Sequence, residues 1–213
     1  MKIPLEKKLR KRAHIELAML QDEVMDMLFS ICTNSELVLH GGTALWRCYG
    51  GIRFSEDLDF YSSFEDDFEE RLSKEIERRG LTLLKFKKAP YVVYSKITNN
   101  QTIVKLEISK NEPPGKILKE YEKVDGSYID IYTLSPQDLI KEKMNAYLTR
   151  KYIRDIYDVY FLSTLIEGNV PEVADSLKEL PKPIDEENLK TLIYSGVAPT
   201  FQEIVMKLRR RFQ

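Results

Sequence analysis

The sequence predicts an α+β protein, with a mixed sheet in the first two-thirds of its 213 residues and helices after it. Three observations carry this. Apolar residues recur at helical spacing from about residue 12 to 31. Short runs rich in β-branched and aromatic residues follow between residues 37 and 132. From Ser135 onward helical spacing returns, punctuated by prolines.

Ile15, Leu17, Leu20, Val24, Leu28 and Ile31 recur every three or four residues with acids between them, which predicts the first helix. Leu37 to His40 reads as a strand running into the Gly41-Gly42 turn. Thr43 to Cys48 opens a short helix that Tyr49, Gly50 and Gly51 end. Leu58 to Tyr61 is a second strand. Asp66 to Arg79 is a charged amphipathic helix stopped by Gly80. Residues 81–87, 91–97 and 102–109 alternate as strands, with Asn99 to Gln101 as a hairpin turn, and 128–132 is one more strand. Ser135-Pro136-Gln137-Asp138 is a helix start: serine caps, proline suits the first helical position, and an acid follows three residues later. The spacing predicts one helix from there to about Ile166. Two or three more follow around Pro181, Pro183 and Pro199.

The expected organisation is a core over 1–133, including the N-terminal helix, and a helical region over 134–213 that completes the active site. Lys and Arg number 33 against 34 Asp and Glu, so overall charge does not announce a nucleic-acid partner. Cys32, Cys48, His14 and His40 are too sparse for a zinc cluster of standard spacing. The two thiols read as reduced, which suits the cytoplasm. The basic N-terminus has no apolar core behind it and does not read as a signal peptide. No run reaches the ~18 apolar residues of a membrane-spanning helix.

The chemistry concentrates in LVLHGGTALWRCYGGIRFSEDLDFYS, Leu37 to Ser62. On a strand, side chains alternate faces, so Asp57 and Asp59 point one way and Leu58 and Phe60 the other. Two carboxylates side by side repel unless a cation lies between them, which suits Mg²⁺, with Mn²⁺ as the alternative. Backbone N–H groups at Gly41 and Gly42 can approach phosphate oxygens. Thr43, Arg53 and Ser55 can add contacts to a triphosphate. The plainer reading is a solvated loop entering a strand. In residues 102–109, Val104, Leu106 and Ile108 form the apolar face, so Lys105 and Glu107 share the other. Glu107 is the candidate third metal ligand; the plainer reading pairs it with Lys105.

Gly-Gly-Thr-Ala-Leu followed by Arg-Phe-Ser-Glu-Asp-Leu-Asp resembles the nucleotidyltransferase fold of the DNA polymerase β superfamily. It is more closely similar to the AbiEii family, the toxin half of abortive-infection toxin–antitoxin systems. The wider superfamily has Gly-Ser about ten residues before its aspartate pair; here Thr43 stands in the second position and the gap is longer, as in the AbiEii branch. A second motif of that family matches Lys141 to Arg150 and then Arg154-Asp155-Ile156-Tyr157-Asp158. On a continuous helix Lys143, Tyr147, Arg150, Arg154 and Asp158 would form one stripe suited to a triphosphate; the plainer reading is a surface ladder of weak pairs. The two motifs span about residues 37–62 and 138–162.

The resemblance implies an NTP substrate, with Asp57, Asp59 and Glu107 as metal ligands and Lys143 neutralising phosphate charge. Lys141, Arg150 and Arg154 would contact the nucleotide, and Asp155 or Asp158 would orient the lysine or touch the nucleotide. Helix rotation decides whether Lys141 or Lys143 faces the site. Relatives modify the acceptor end of tRNA and are held by an antitoxin with a DNA-binding winged helix. The expected function is therefore a Mg²⁺-dependent nucleotidyltransferase acting on tRNA, as the toxin of a type IV-like system. A nucleotide-binding regulator without turnover and a metal-dependent phosphodiesterase are the alternatives. Basic runs at Lys7 to Arg12 and Lys207 to Arg211 could touch RNA phosphates, although such runs more commonly mark solvated helix ends.

Overall fold

The computed structural model describes residues 3–32, 36–62 and 67–212. The chain divides into two compact units, Met1–Gly50 with Phe54–Thr133, and Gly51–Arg53 with Leu134–Gln213.

The first unit runs α1 (Leu5–Lys8), α2 (Arg12–Ile31), β1 (Val38–His40), α3 (Gly41–Cys48), β2 (Asp57–Tyr61), α4 (Phe68–Arg78), β3 (Thr82–Ala89), β4 (Val92–Thr98), β5 (Ile103–Ser109), β6 (Ile117–Glu122) and β7 (Tyr128–Thr133). The strands form one mixed sheet in the order β3-β4-β5-β2-β1-β7-β6. β2 lies parallel to β5, and β1 parallel to β7. The neighbours β1–β2, β3–β4, β4–β5 and β6–β7 are antiparallel. Leu17, Leu20, Val24 and Leu28 bury one stripe of α2. That helix packs against α4 and β5, while α3 packs against β1, β2 and β6. Leu58, Phe60, Val93, Ile97, Val104, Leu106 and Ile108 are buried with them. The alternation expected for 102–109 is what the strand shows, with Lys105 and Glu107 exposed between buried neighbours.

Some local expectations need correcting. The helix after β1 starts at Gly41 rather than Thr43. Its glycine takes φ +69°, and a Cβ there would run into the Asp59 carboxylate, so only glycine fits. Asp66, the expected start of α4, lies outside the described residues. β6 was not expected; it pairs with β7 across a tight Asp125-Gly126 turn.

The second unit holds α5 (Pro136–Arg150), α6 (Ile153–Ser163), α7 (Pro171–Ser176), α8 (Leu189–Leu192) and α9 (Phe201–Phe212). The Ser135 hydroxyl accepts from the Asp138 N–H, as the cap pattern predicts. The single helix expected to about Ile166 is instead two. Lys151 adopts the left-handed conformation, φ 56° and ψ 35°, and ends α5 there. Ile140, Met144, Tyr147, Ile156, Val159, Leu162, Ile204 and Leu208 are buried in this unit. Gly51–Arg53 joins it through an antiparallel bridge of Arg53 to Ile193, and the Tyr194 N–H donates to the Ile52 carbonyl at 3.1 Å. The Tyr194 hydroxyl also donates to the Gly51 carbonyl at 2.8 Å. Among the described residues no helix is long and apolar enough to cross a membrane.

Candidate active site

Sheet register builds the first unit's polar face. Glu107 on β5 lies directly opposite Asp59 on β2, and Lys105 opposite Asp57. His40 on β1 is the register partner of Asp59 from the other side. These groups share the face that Leu58, Phe60 and Leu106 leave, because the side-chain period of a strand is two.

The site is electrostatically strained. Partial desolvation in the groove that it lines with both aspartates, then the Asp59 charge, push the Glu107 carboxyl above the ordinary glutamate range although the residue is exposed; Asp57 adds to this and His40 opposes it. Lys105 Nζ stands 3.3 Å from Asp57 Oδ1, within ion-pair distance. The same oxygen is buried and accepts no hydrogen bond, so the lysine supplies charge rather than a bond. A buried carboxylate oxygen without a donor, beside two more carboxylates, fits a hard divalent cation by donor type. Among the described residues no three such side chains are already gathered at metal-binding distance.

The Gly-Gly-Thr segment shapes this face from below. Gly41 meets the Asp59 carboxylate at the start of α3. Thr43, expected to reach a phosphate, is fully buried. Its hydroxyl donates to the Asp57 backbone carbonyl at 2.5 Å. Gly42 is buried beside it. The Ser55 carbonyl accepts from the Gln21 amide at 3.0 Å, which holds the entry to β2.

The second unit carries a separate charged cluster. Arg53 is buried and grips Asp158 in a two-pronged pair, Nε to Oδ1 at 2.7 Å and Nη2 to Oδ2 at 2.8 Å. Arg53, expected to reach a phosphate, thus commits Nε and Nη2 to Asp158. Lys143 Nζ lies 3.3 Å from Asp158 Oδ2. Arg150 makes two 2.7 Å hydrogen bonds to Asp155. Lys143 is buried against Asp158, whereas Lys141 is exposed and pairs with Glu172 at 3.3 Å. The stripe expected from Lys143 to Asp158 does not run along one helix, because Lys151 separates the two halves. Arg154 instead lies over the Tyr152 ring, 5.6 Å from its centre.

Sequence reasoning missed His40, whose ring stacks on Tyr61 with centroids 4.1 Å apart. Its position immediately before the two glycines was the available signal.

A protein-family model described as "Nucleotidyl transferase AbiEii toxin, Type IV TA system" matches residues 33–191. A candidate nucleotidyltransferase from H. pylori has a similar structure, with TM-score 0.62 and 22% identity over 92% of this chain and 93% of that one. JHP933 from Helicobacter pylori is similar too, with TM-score 0.61 and 22% identity over 92% of this chain and 90% of its own. At that identity the likeness shows the fold, the mixed nucleotidyltransferase sheet flanked by helices. No curated protein matches the sequence.

Proposed function

The chain belongs to the AbiEii family of nucleotidyl transferase toxins, and on that premise we propose that it moves a nucleotide from an NTP to the terminal hydroxyl of an RNA, tRNA first, with Mg²⁺ as the metal. The observation that carries this reading is the row His40, Asp59, Glu107 beside Asp57, with a buried Asp57 oxygen that accepts no hydrogen bond. Asp57 and Asp59, joined by Glu107, would hold the metal, which supplies charge neutralisation on the phosphates when bound.

In this reading each residue has its own part. Thr43 and Gly41 fix the aspartates from the α3 side, through the Asp57 carbonyl and the Asp59 carboxylate. Glu107 either completes the metal site or, if the metal rests on the two aspartates alone, takes the proton of the acceptor hydroxyl as general base. The hydroxyl oxygen bonds to the α-phosphorus, the α–β bridging bond breaks, and pyrophosphate leaves. In this proposal Lys143 neutralises phosphate charge, oriented by Asp158. Arg150 and Arg154 add nucleotide contacts. An antitoxin partner and a cytoplasmic setting belong to the same reading, through the family.

The test supplies labelled NTPs one at a time with Mg²⁺, total tRNA and the protein, beside Asp57→Ala. Label moving to tRNA only with the intact aspartate supports the reading and names the nucleotide. Equal label with Asp57→Ala removes the metal-pair mechanism, and no label on RNA with any NTP removes the RNA acceptor.

A further inference from the structure

The pairings that place the carboxylates also extend across β3 and β4. Lys85 pairs with Lys96, and Lys96 pairs with Lys105, which lies opposite Asp57. One step along, Lys87 pairs with Tyr94, Tyr94 with Glu107, and Glu107 with Asp59. Two parallel rows of side chains therefore run across the strands from the edge strand β3 to the two aspartates. At the usual strand spacing each row is about 14 Å long.

The first row is unfavourable for the fold alone. Lys85, Lys96 and Lys105 are exposed and directly opposite one another, and like charges in that relation destabilise a sheet. Lys105 has Asp57 nearby. Among the described residues Lys85, Lys87 and Lys96 have no carboxylate at ion-pair distance, although the chain as a whole carries a net charge of only −1. Tyr94, 41% exposed, stands between Lys87 and Glu107 in the second row. Lys85, Lys87, Lys96 and Tyr94 wall the far side of a groove of about 300 Å³ that contains Asp57 and Asp59.

The basic runs at the chain ends are partly committed elsewhere. Arg209 donates to the Leu177 carbonyl at 3.0 Å and Arg211 to the Ile166 carbonyl at 2.8 Å. Lys8 pairs with Glu122 at 2.7 Å.

We propose that the lysine rows of β3 and β4 are the track for the acceptor strand: a single-stranded RNA end lies across them, its phosphates on Lys85, Lys87 and Lys96 and a base against Tyr94. This rests on the nucleotidyltransferase reading and extends it by naming the surface that holds the acceptor. The chemistry is complementary. Lysines hold backbone phosphates without regard to sequence, and an exposed aromatic ring accepts a base by stacking. The strand then delivers its terminal hydroxyl to the carboxylates. An acidic protein segment would match the charge but would leave the tyrosine unused.

The experiment measures binding of a 5′-labelled single-stranded RNA of about twelve nucleotides by fluorescence anisotropy, across a salt series without NTP. Wild type is compared with Lys85→Gln/Lys87→Gln/Lys96→Gln, with the matching triple arginine variant and with Tyr94→Ala. The triple glutamine variant should bind at least about tenfold more weakly at low salt. Its slope of log affinity against log salt should be shallower by about 2, since each phosphate contact on a single strand contributes about 0.7. The arginine variant should keep the slope, and Tyr94→Ala should lose affinity at unchanged slope. NTP binding by calorimetry should be the same in all four proteins. The melting midpoint of the glutamine variant should hold or rise, because like-charge neighbours are removed. An unchanged RNA slope in that variant overturns the proposal, as does loss of NTP binding in place of RNA binding, or displacement of the RNA by polyglutamate at equal charge concentration. Because no turnover is read, RNA binding without transfer counts against the enzymatic reading alone.

Discussion

The Thr43 hydroxyl, fully buried, donates to the backbone carbonyl of Asp57 across a 14-residue gap in sequence. The hydroxyl thereby positions the strand that carries the aspartates. Thr43→Val keeps the shape but leaves a buried carbonyl without its donor, a loss of about 1–3 kcal/mol. Nucleotide transfer should fall with it, while Thr43→Ser should retain most of both. If valine leaves the denaturation midpoint and the transfer rate unchanged, the bond has no structural consequence.

Gly41→Ala should be worse than its size suggests. The left-handed backbone costs a non-glycine residue about 1–2 kcal/mol, and the added methyl collides with the Asp59 carboxylate. The expected result is a lower melting midpoint together with loss of the upward shift that the proposed Mg²⁺ site should give the wild type. An alanine variant that still shows the full Mg²⁺ shift would contradict the close approach.

Glu107 gives a pH-dependent prediction. Its carboxyl keeps its proton to higher pH in the folded chain than in the unfolded one. Stability contributed at low pH is therefore lost as pH climbs from the ordinary glutamate range through the raised value, and the penalty is complete above it. In metal-free buffer at pH 7, Glu107→Gln should melt higher than wild type, with the two curves converging as the pH falls. Adding Mg²⁺ should close or reverse the gap at pH 7. Equal melting at every pH would show that the three carboxylates do not repel one another.

Arg53→Met tests the buried pair. Among the described residues it leaves Asp158 with Lys143 as its ion-pair partner, at 3.3 Å, and breaking a buried pair from one side costs about 3–5 kcal/mol. Replacing both partners, as Arg53→Met/Asp158→Leu, should recover most of that loss in the denaturation midpoint. Failure to recover would mean that Arg53 contributes by something other than neutralising Asp158.

Lys143→Met and Lys141→Met separate two residues two positions apart. One is buried against Asp158, and the other pairs with Glu172 at the surface. Transfer should fall on the order of 100-fold for Lys143→Met, the loss typical when one stabilising group is removed from a developing charge. The Lys141 variant should lose at least tenfold less. Equal losses would argue that the cluster around Asp158 does not select Lys143.

Much of the fold was legible because period and turn chemistry are local. Val104, Leu106 and Ile108 declared one face of β5, and Ser135 with Asp138 declared the start of α5. The face shared by Asp57, Asp59 and Glu107 followed from the same alternation. What was hidden depended on partners distant in sequence. Thr43 and Arg53 are polar groups beside a glycine turn and look available for a ligand; only the fold shows that Asp57 and Asp158 already use them. The break at Lys151 was hidden because lysine is a helix former and Tyr152 and Ile153 continue the apolar spacing. β6 was hidden because Ile117 to Glu122 lacks a clean alternation and only Asp125-Gly126 hinted at a hairpin.

The three residues Gly51–Arg53 belong to the second unit although eighty residues of the first follow them before Leu134. A single crossover in the gene anywhere between codons 54 and 133 would therefore inherit Asp158 from one parent and its arginine from the other. A shuffled library should tolerate such crossovers only between parents that both encode this pair. The helical half thus cannot be traded as a cassette: the lineage must carry both pieces together, or replace the arginine and the aspartate in the same step.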